Sequence, residues 1–228
     1  MFNNQQTTKK ITRPQVKICG LTRVKEALGC TALGVDAIGC VFYPKSPRNL
    51  TASRAKQICS AVKGQIMTVG VFVNETFSNI MQRVDHCQLS AVQLHGQESP
   101  ELVHRLRKEE IYVIKALFAE DTPSMDDVSS YNASAYLVEC GSGNLPGGIA
   151  LKWDWEKAEL FGKAHPLIIA GGLAPGNVSH AISVSVPHAV DVSSGVERSP
   201  GLKDLDKVEA FMDAVSTYTP ANKMKKIF

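Results

Sequence analysis

The chain alternates between two patterns of apolar residues. Short runs rich in Val, Ile and Leu are typical of buried strands, and the segments between them have the mixed apolar and polar spacing of amphipathic helices. Eight runs are predicted as strands, at 16–19, 36–42, 68–73, 91–95, 112–117, 135–139, 166–171 and 188–193. Each is followed by a predicted helix, at 22–33, 51–62, 76–86, 99–108, 123–130, 155–163, 175–184 and 204–215.

Three prolines help to predict where helices begin. Ser99-Pro100 and Thr122-Pro123 each place a side chain that can cap a helix before a proline in its first turn. Pro175 also suits a first helical position. We therefore expect helices to begin at these three places.

The strict alternation of strands and helices predicts the fold class. It favours a parallel sheet with helices on the outside. The glycine-rich stretches, at 141–148 and 170–173, do not match the G-x-G-x-x-G dinucleotide fingerprint. Eight units without that fingerprint favour an α/β fold that is a single closed (β/α)8 TIM barrel, with an open sheet as the alternative.

Composition and charge leave this interpretation unchanged. The chain has 228 residues, of which 44% are hydrophobic and 21% charged, which excludes disordered and collagen-like proteins. Its net charge of +3 does not indicate nucleic acid or a membrane as a partner. We expect a polar lead-in over 1–14, a catalytic barrel over 15–216 and a basic, solvated and frayed tail over 217–228.

Neither a signal peptide nor a membrane-spanning segment is predicted, so we expect a cytoplasmic protein. The six cysteines do not form a C-x-x-C pair, and the histidines have no spacing typical of metal ligands. Most of the cysteines are therefore expected to be free buried thiols, and no metal site is predicted. The sequence leaves open whether the protein is a monomer or a homodimer.

Candidate chemistry lies at the predicted strand ends. Because side chains alternate along a strand, Cys19, His95, Glu139 and Asp191 are each expected to point into the barrel near its carboxyl end. TIM barrels have their active sites at that end. Each residue could also be structural, as a buried thiol, a hydrogen-bonded imidazole or a solvated carboxylate. Their convergence under one alternation rule favours a catalytic site.

A second candidate feature is a phosphate site. AGGLAPGNV follows the seventh predicted strand and DVSSGVE spans the end of the eighth. Glycines let backbone N–H groups approach an anion, and the loops after these two strands commonly bind phosphate in this fold. The loop after the second strand carries Lys45 and Arg48 beside two prolines, Pro44 and Pro47. A guanidinium there could bind an anionic group of the substrate or simply be solvated.

These residues occur in motifs that resemble the phosphoribosylanthranilate isomerase family. The motifs run in the order found in the family and span nearly the whole predicted barrel. They are VKICGLT (16–22), GCVFYPKSPRNL (39–50), VGVFVNE (69–75), AVQLHG (91–96), IIAGGLAPGNV (168–178) and DVSSGVE…PGLKD (191–204).

The resemblance implies a TIM barrel without metal or cofactor that isomerises a small phosphorylated substrate, N-(5'-phosphoribosyl)anthranilate. It implies that Cys19 is the general base and Arg48 binds the anthranilate carboxylate. It also implies that His95 lines the pocket and Asp191 lies near the sugar hydroxyls. The implied phosphate site consists of Gly171, Gly172, Ser193, Ser194 and Gly195.

The sixth strand departs from the family pattern. The family has an aspartate as general acid at its end, where this chain has Glu139. The family's GG-x-G pattern reads Gly147-Gly148-Ile149-Ala150 here, without its last glycine. Two alternatives to the isomerase stay open. One is another phosphosugar enzyme on this fold. The other is a homologue that binds the substrate with an impaired general acid, which Glu139 and the altered glycine loop support.

Overall fold

The eight predicted strands form one closed parallel barrel. A computed structural model of the chain describes residues 12–141, 153–219 and 224–228. The strands follow each other in chain order around the barrel, and the first pairs with the eighth. They are β1 (Gln15–Cys19), β2 (Ala37–Phe42), β3 (Met67–Phe72), β4 (Ala91–Leu94), β5 (Val113–Phe118), β6 (Ala135–Glu139), β7 (Leu167–Ile169) and β8 (Ala189–Val192).

Helices surround the barrel and confirm the predicted alternation. Their inner faces join the outward side chains of the strands in one large buried cluster. The helices are α1 (Val24–Ala32), α2 (Ala52–Ala61), α3 (Phe77–Cys87), α4 (Pro100–Lys108), α5 (Val128–Tyr131), α6 (Glu159–Ala164), α7 (Val178–Ser185) and α8 (Leu205–Ser216). None of the helices in the described residues is long and apolar enough to cross a membrane.

One of the three predicted helix starts is confirmed. The Ser99 side chain caps α4 by accepting from the Leu102 N–H, and Pro100 is the first residue of the helix. Satisfying such an N–H group at a helix start stabilises the helix.

The other two starts are wrong. The peptide bond between Thr122 and Pro123 is cis. The Phe118 N–H donates to the Pro123 carbonyl, so Pro123 lies beside β5 and does not begin a helix. The cap is instead Ser124, at the start of a 3-10 turn that precedes the short helix α5. Pro175 lies in a turn that leads into α7, which begins three residues later.

A short hairpin was not predicted. After β8 and a 3-10 turn, β9 (Glu197–Ser199) pairs antiparallel with β10 (Leu202–Lys203). Strand β9 has three residues and β10 has two, which is too few for an alternating pattern to show in the sequence. The hairpin lies between β8 and α8, at the end of the barrel where the strands finish.

The tail differs from its predicted state. Lys225 and Lys226 are exposed, as expected, but Ile227 and Phe228 are buried in the same apolar cluster as residues inside the barrel. The tail therefore does not end as a frayed segment. The Gly147-Gly148-Ile149-Ala150 stretch, where the family's glycine pattern is altered, lies outside the described part of the chain.

All six cysteines are free and buried, as predicted. Five of them lie on strands or helices. Only Cys19 lies among the polar groups at the barrel mouth described below.

Candidate active site

Four predicted residues come together at the carboxyl end of the barrel. Cys19 and Glu139 are the last residues of β1 and β6, His95 directly follows β4, and Asp191 lies on β8. Because the strands are parallel, their carboxyl ends share one side of the molecule. All four side chains are buried. Two carboxylates, an imidazole and a thiol are thus concentrated at one mouth.

A buried lysine connects Asp191 with Cys19. Lys17 Nζ donates to Asp191 Oδ1 over 3.0 Å, and the Lys17 side chain has no exposed surface. Burial lowers the pKa of Lys17, but Asp191 and Cys19 outweigh this effect and raise it, so Lys17 stays an ammonium. Gly39 on β2 leaves room for this arrangement, because a Cβ there would lie 2.8 Å from Cys19 Sγ and 3.3 Å from Lys17 Nζ.

The surroundings of Cys19 do not lower the pKa of its thiol. Burial raises the pKa of Cys19, and the opposing effects of Lys17 and Lys203 do not cancel this rise. The buried charge of Asp191 raises it as well. In this state of the site Cys19 is therefore a thiol at neutral pH.

The carboxyl group of Glu139 is held by a chain of hydrogen bonds. His95 Nε2 lies 2.9 Å from Glu139 Oε1, and Gln93 Nε2 lies 2.8 Å from His95 Nδ1. The two ring nitrogens of His95 are thus both engaged, one by Gln93 and the other by Glu139. Phe118 packs edge-on against the His95 ring. The imidazole is thus held in one orientation by contacts on three sides.

A second buried pair supports the turn after His95. Lys115 Nζ donates to the Gly96 carbonyl over 2.7 Å and to Glu98 Oε2 over 3.0 Å, and the Gly96 N–H donates to the same carboxylate. Burial lowers the pKa of Lys115. The sequence analysis did not assign a role to Lys115 or Glu98. Their network fixes the backbone that carries His95.

Arg48 is buried at the mouth, whereas Lys45 is exposed. Arg48 Nε and Nη2 donate to the two carboxylate oxygens of Glu197 over 2.8 and 2.7 Å. The edge of the guanidinium formed by Nε and Nη2 is thus already paired with Glu197. Nη1 makes no hydrogen bond within the described part of the chain. The anion-binding edge that remains is the one formed by Nη1 and Nη2.

The loops after β7 and β8 meet each other. Gly171 and Gly172 have φ angles of +82° and +67°, which favour glycine. In the described residues, the N–H groups of Gly171, Gly172, Ser194 and Gly195 have no hydrogen-bond partner. A Cβ at Gly195 would collide with the Leu173 carbonyl oxygen, so the two loops are in direct contact there. Together they present a group of N–H donors to an anion.

Ser193 differs from its neighbours in this loop. Its hydroxyl donates to the Cys19 carbonyl over 3.0 Å and lies 3.3 Å from Lys203 Nζ. The side chain therefore ties β8 to β1. Among the described residues there is no group of three or more His, Cys, Asp or Glu side chains that could hold a metal ion.

Comparisons with known proteins agree on one family. The family model for N-(5'-phosphoribosyl)anthranilate (PRA) isomerase matches residues 16–214. The N-(5'-phosphoribosyl)anthranilate isomerase of Desulfatibacillum aliphaticivorans is 47% identical over 214 residues, covering 94% of this chain and 98% of the relative.

Solved structures give the same result. The phosphoribosyl anthranilate isomerase of Thermotoga maritima is similar with a TM-score of 0.83 and 38% identity, covering 90% of this chain and all of the other. A structure of a phosphoribosyl anthranilate isomerase in complex with reduced 1-(o-carboxyphenylamino)-1-deoxyribulose 5-phosphate has a TM-score of 0.80 and 37% identity, covering 90% of this chain and all of the other.

Proposed function

The chain belongs to the N-(5'-phosphoribosyl)anthranilate isomerase family, and from this premise we propose that Cys19 is its general base and Glu139 its general acid. The protein catalyses the Amadori rearrangement of N-(5'-phosphoribosyl)anthranilate to 1-(2-carboxyphenylamino)-1-deoxyribulose 5-phosphate in tryptophan biosynthesis. The observation that carries the proposed roles is the position of a thiol and a carboxyl group at one barrel mouth, beside unpaired backbone N–H groups.

The first step opens the sugar ring. Glu139 gives its proton to the furanose ring oxygen, the bond from that oxygen to C1′ breaks, and the anthranilate nitrogen forms a double bond to C1′. The hydrogen bond between His95 Nε2 and Glu139 Oε1 is relevant to this role because it positions the carboxyl group at the mouth. A glutamate delivers the same proton as an aspartate, provided the substrate is bound to suit its extra methylene.

The second step moves a proton from C2′. Cys19, after losing its own proton to solvent, removes the C2′ proton. The C2′–H electron pair forms the C1′–C2′ double bond, and the π pair of the C1′–N double bond returns to the anthranilate nitrogen to give an enolamine. The enolamine then tautomerises to the ketone. Lys17 supports this step because its ammonium opposes the rise in the thiol pKa that burial produces. Asp191 fixes Lys17 and is proposed to lie near the sugar hydroxyls.

Two anchors position the reacting carbon atoms. The N–H groups of Gly171, Gly172, Ser194 and Gly195 are proposed to bind the phosphate. Ser193 contributes by holding its loop against β1. Arg48 is proposed to bind the anthranilate carboxylate through the edge that Glu197 leaves free. Binding at both ends of the substrate supplies the energy that aligns C2′ with the thiol.

The experiment is a fluorescence assay that follows the loss of phosphoribosylanthranilate. We expect Cys19→Ala to lower kcat by about 100-fold to 10,000-fold, the usual contribution of a general base, while the reduced product analogue binds with unchanged affinity. Cys87→Ala removes a buried thiol on α3 and serves as the matched control. Near-normal turnover by Cys19→Ala would remove Cys19 from the mechanism.

A second comparison tests the acid. Glu139→Gln is expected to lower kcat strongly, because the amide keeps the shape of the side chain and cannot donate a carboxyl proton. If Asp191→Asn were far more damaging than Glu139→Gln, the acid would be reassigned to Asp191. If the wild-type protein bound the analogue without turning over the substrate, it would be a binding homologue rather than an isomerase.

We also propose that the protein is a cytoplasmic monomer. The exposed large hydrophobic side chains in the described residues are Leu28 on α1 and Leu160 on α6. This small number supports the monomer, because permanent dimer interfaces are more apolar than ordinary surface. Six free thiols and a role in amino-acid synthesis fit a reducing compartment. A mass of two chains in light scattering, or recovery outside the cytoplasmic fraction, would contradict these proposals.

A further inference from the structure

The hairpin formed by β9 and β10 brings two charged residues to Arg48. Glu197 and Lys203 are register partners in the hairpin, and both are buried. Lys203 Nζ donates to Glu197 Oε1 over 2.8 Å, in addition to the two hydrogen bonds from Arg48. Neither Glu197 nor Lys203 has a role in the mechanism above. Removing three charged groups from water is costly, so their pairing is weak evidence for a role in stability alone.

Glu197 is held in place by more than its charge. Its Oε1 also accepts from the Gly201 N–H over 3.3 Å, and its carbonyl accepts from Lys207 Nζ over 2.8 Å. Burial raises the pKa of Glu197, but hydrogen bonds from Arg48 and Lys203 outweigh this effect and lower it. The group is therefore a fixed carboxylate.

Arg48 has little freedom to move in response. Its aliphatic part crosses Gly20, where a Cβ would collide with Arg48 Cδ, and Gly20 has a φ angle of +77°. The guanidinium is bound on its Nε and Nη2 face by Glu197. Because a guanidinium is planar and rigid, fixing the edge formed by Nε and Nη2 also fixes the direction of the edge formed by Nη1 and Nη2.

We propose that Glu197 is a positioning residue for recognition of the substrate's aromatic carboxylate: it turns the free edge of Arg48 toward the mouth. This inference rests on the proposed role of Arg48. Glu197 does not contact the substrate and acts only through the guanidinium. Without it, Arg48 would rotate and bind the carboxylate at a cost in conformational freedom.

Lys203 connects this device to the rest of the site. Its ammonium donates to the Ser193 carbonyl over 3.0 Å and to Glu197, and Ser193 in turn donates to the Cys19 carbonyl. Lys203 balances one charge in the buried group, so the group of Arg48, Glu197 and Lys203 keeps a net positive charge for an anion. The hairpin is thus tied to both β8 and β1.

The test compares two ligands. One is the reduced product analogue with its carboxyl group, and the other is the same compound with hydrogen in place of the carboxyl group. The dissociation constant of the carboxyl-free ligand divided by that of the carboxylated ligand measures carboxylate recognition alone. We expect Glu197→Gln to reduce this ratio by about tenfold or more, the size of an effect on a charged hydrogen bond, with binding of the carboxyl-free ligand unchanged. A general structural role would weaken both ligands equally.

Arg48→Met supplies the reference. It is expected to reduce the ratio at least as much as Glu197→Gln, and the double variant is expected to add nothing, because both changes remove one interaction. Glu209→Gln changes an exposed carboxylate on α8 and is the matched control. A normal ratio in Glu197→Gln together with a reduced ratio in Arg48→Met would overturn the inference and keep the proposed role of Arg48.

Two further outcomes are also decisive. A normal ratio in Arg48→Met would overturn the proposed role of Arg48, and the inference with it. If Glu197→Gln does not fold, Glu197→Asp carries the test, because it keeps the charge and withdraws the carboxylate by one methylene. A folded Glu197→Asp with a normal ratio and normal KM would overturn the inference.

Discussion

Burial and charge act on the Cys19 thiol in opposite directions. Removing a thiolate from water is unfavourable, whereas the ammonium of Lys17 favours the charged form. Burial is the larger effect here, and the pKa of Cys19 is raised. A base with a raised pKa is mostly protonated at neutral pH, but it removes a proton more readily once it is deprotonated.

The rate of the reaction should therefore rise with pH. Because the thiolate population grows up to the raised pKa of Cys19, kcat/KM is expected to increase from neutral pH into the alkaline range. Lys17→Met removes an ammonium that lowers the pKa of Cys19. The increase of kcat/KM with pH should therefore occur at higher pH in this variant than in the wild type. The measurement is kcat/KM against pH for both proteins. A profile that is flat above neutral pH in the wild type would contradict this expectation.

The space beside Cys19 gives a second prediction at this scale. Gly39→Ala would place a Cβ 2.8 Å from the Sγ atom, so the thiol must move. A displacement of about 1 Å can lower a rate by about 100-fold, and we expect kcat to fall by that order. Gly176→Ala, where a Cβ meets no atom within 4 Å, is the control. Equal kcat values for the two variants would show that the thiol's position is not limiting.

Alternation along strands was enough to predict which single residues reach the mouth. It placed Cys19, His95 and Glu139 together because each lies on or beside a strand whose neighbours are clearly apolar. It could not predict the sign of the Cys19 pKa shift, which depends on total burial. Glu197 lay within a quoted motif but was missed, because its partner Arg48 is distant in sequence and no local pattern connects them.

At the scale of elements, the proposed phosphate site depends on contact between two loops. Gly195 after β8 lies against the Leu173 carbonyl after β7, and Asn177 holds the latter loop by donating to the Gly172 carbonyl and accepting from the Ala174 N–H. The free N–H groups belong to both loops. Their direction toward a common anion therefore depends on how closely the loops approach.

Separating the loops should weaken phosphate binding. Gly195→Ala would force the Leu173 carbonyl away, and we expect the inhibition constant of inorganic phosphate to rise by about tenfold, the equivalent of one charged hydrogen bond. The measurement is competitive inhibition of the isomerase by phosphate. Gly176→Ala again serves as the control. Unchanged inhibition in Gly195→Ala would place the phosphate elsewhere.

Elements were predicted best where local sequence decides the structure. The strands and most helices follow from apolar spacing, and the Ser99 cap follows from its own side chain. The predicted start at Pro123 failed because β5 holds the Pro123 carbonyl by a hydrogen bond from the Phe118 N–H. The start at Pro175 failed because the Asn177 side chain bonds the Gly172 carbonyl and the Ala174 N–H, so that the residues before α7 form a turn. The β9–β10 hairpin has a local signal that was missed, because Pro200-Gly201 lies between its strands and Gly201 has a φ angle of +79°.

At the scale of the whole molecule, the barrel is closed at the end away from the active site. Alanines from β2, β4, β6 and β8 form a layer there with small side chains: Ala37, Ala91, Ala135 and Ala189. Ile227 and Phe228 belong to the same buried cluster. Gln15 accepts from both of their N–H groups and donates to the Phe228 carbonyl over 2.7 Å. The tail fills space that the alanines leave.

Stability and activity should therefore separate in the tail. Phe228→Ala removes a ring that is only 6% exposed, and we expect the free energy of unfolding to fall by about 3 kcal/mol, the low end for a buried phenylalanine. Turnover at 25 °C should be unchanged, because the mouth lies at the opposite end of the strands. Urea denaturation and the fluorescence assay measure the two quantities. Leu160→Ala, at a side chain that is 76% exposed, is the control and should unfold at the wild-type urea concentration. If Phe228→Ala also unfolds at the wild-type urea concentration, the tail does not stabilise the barrel.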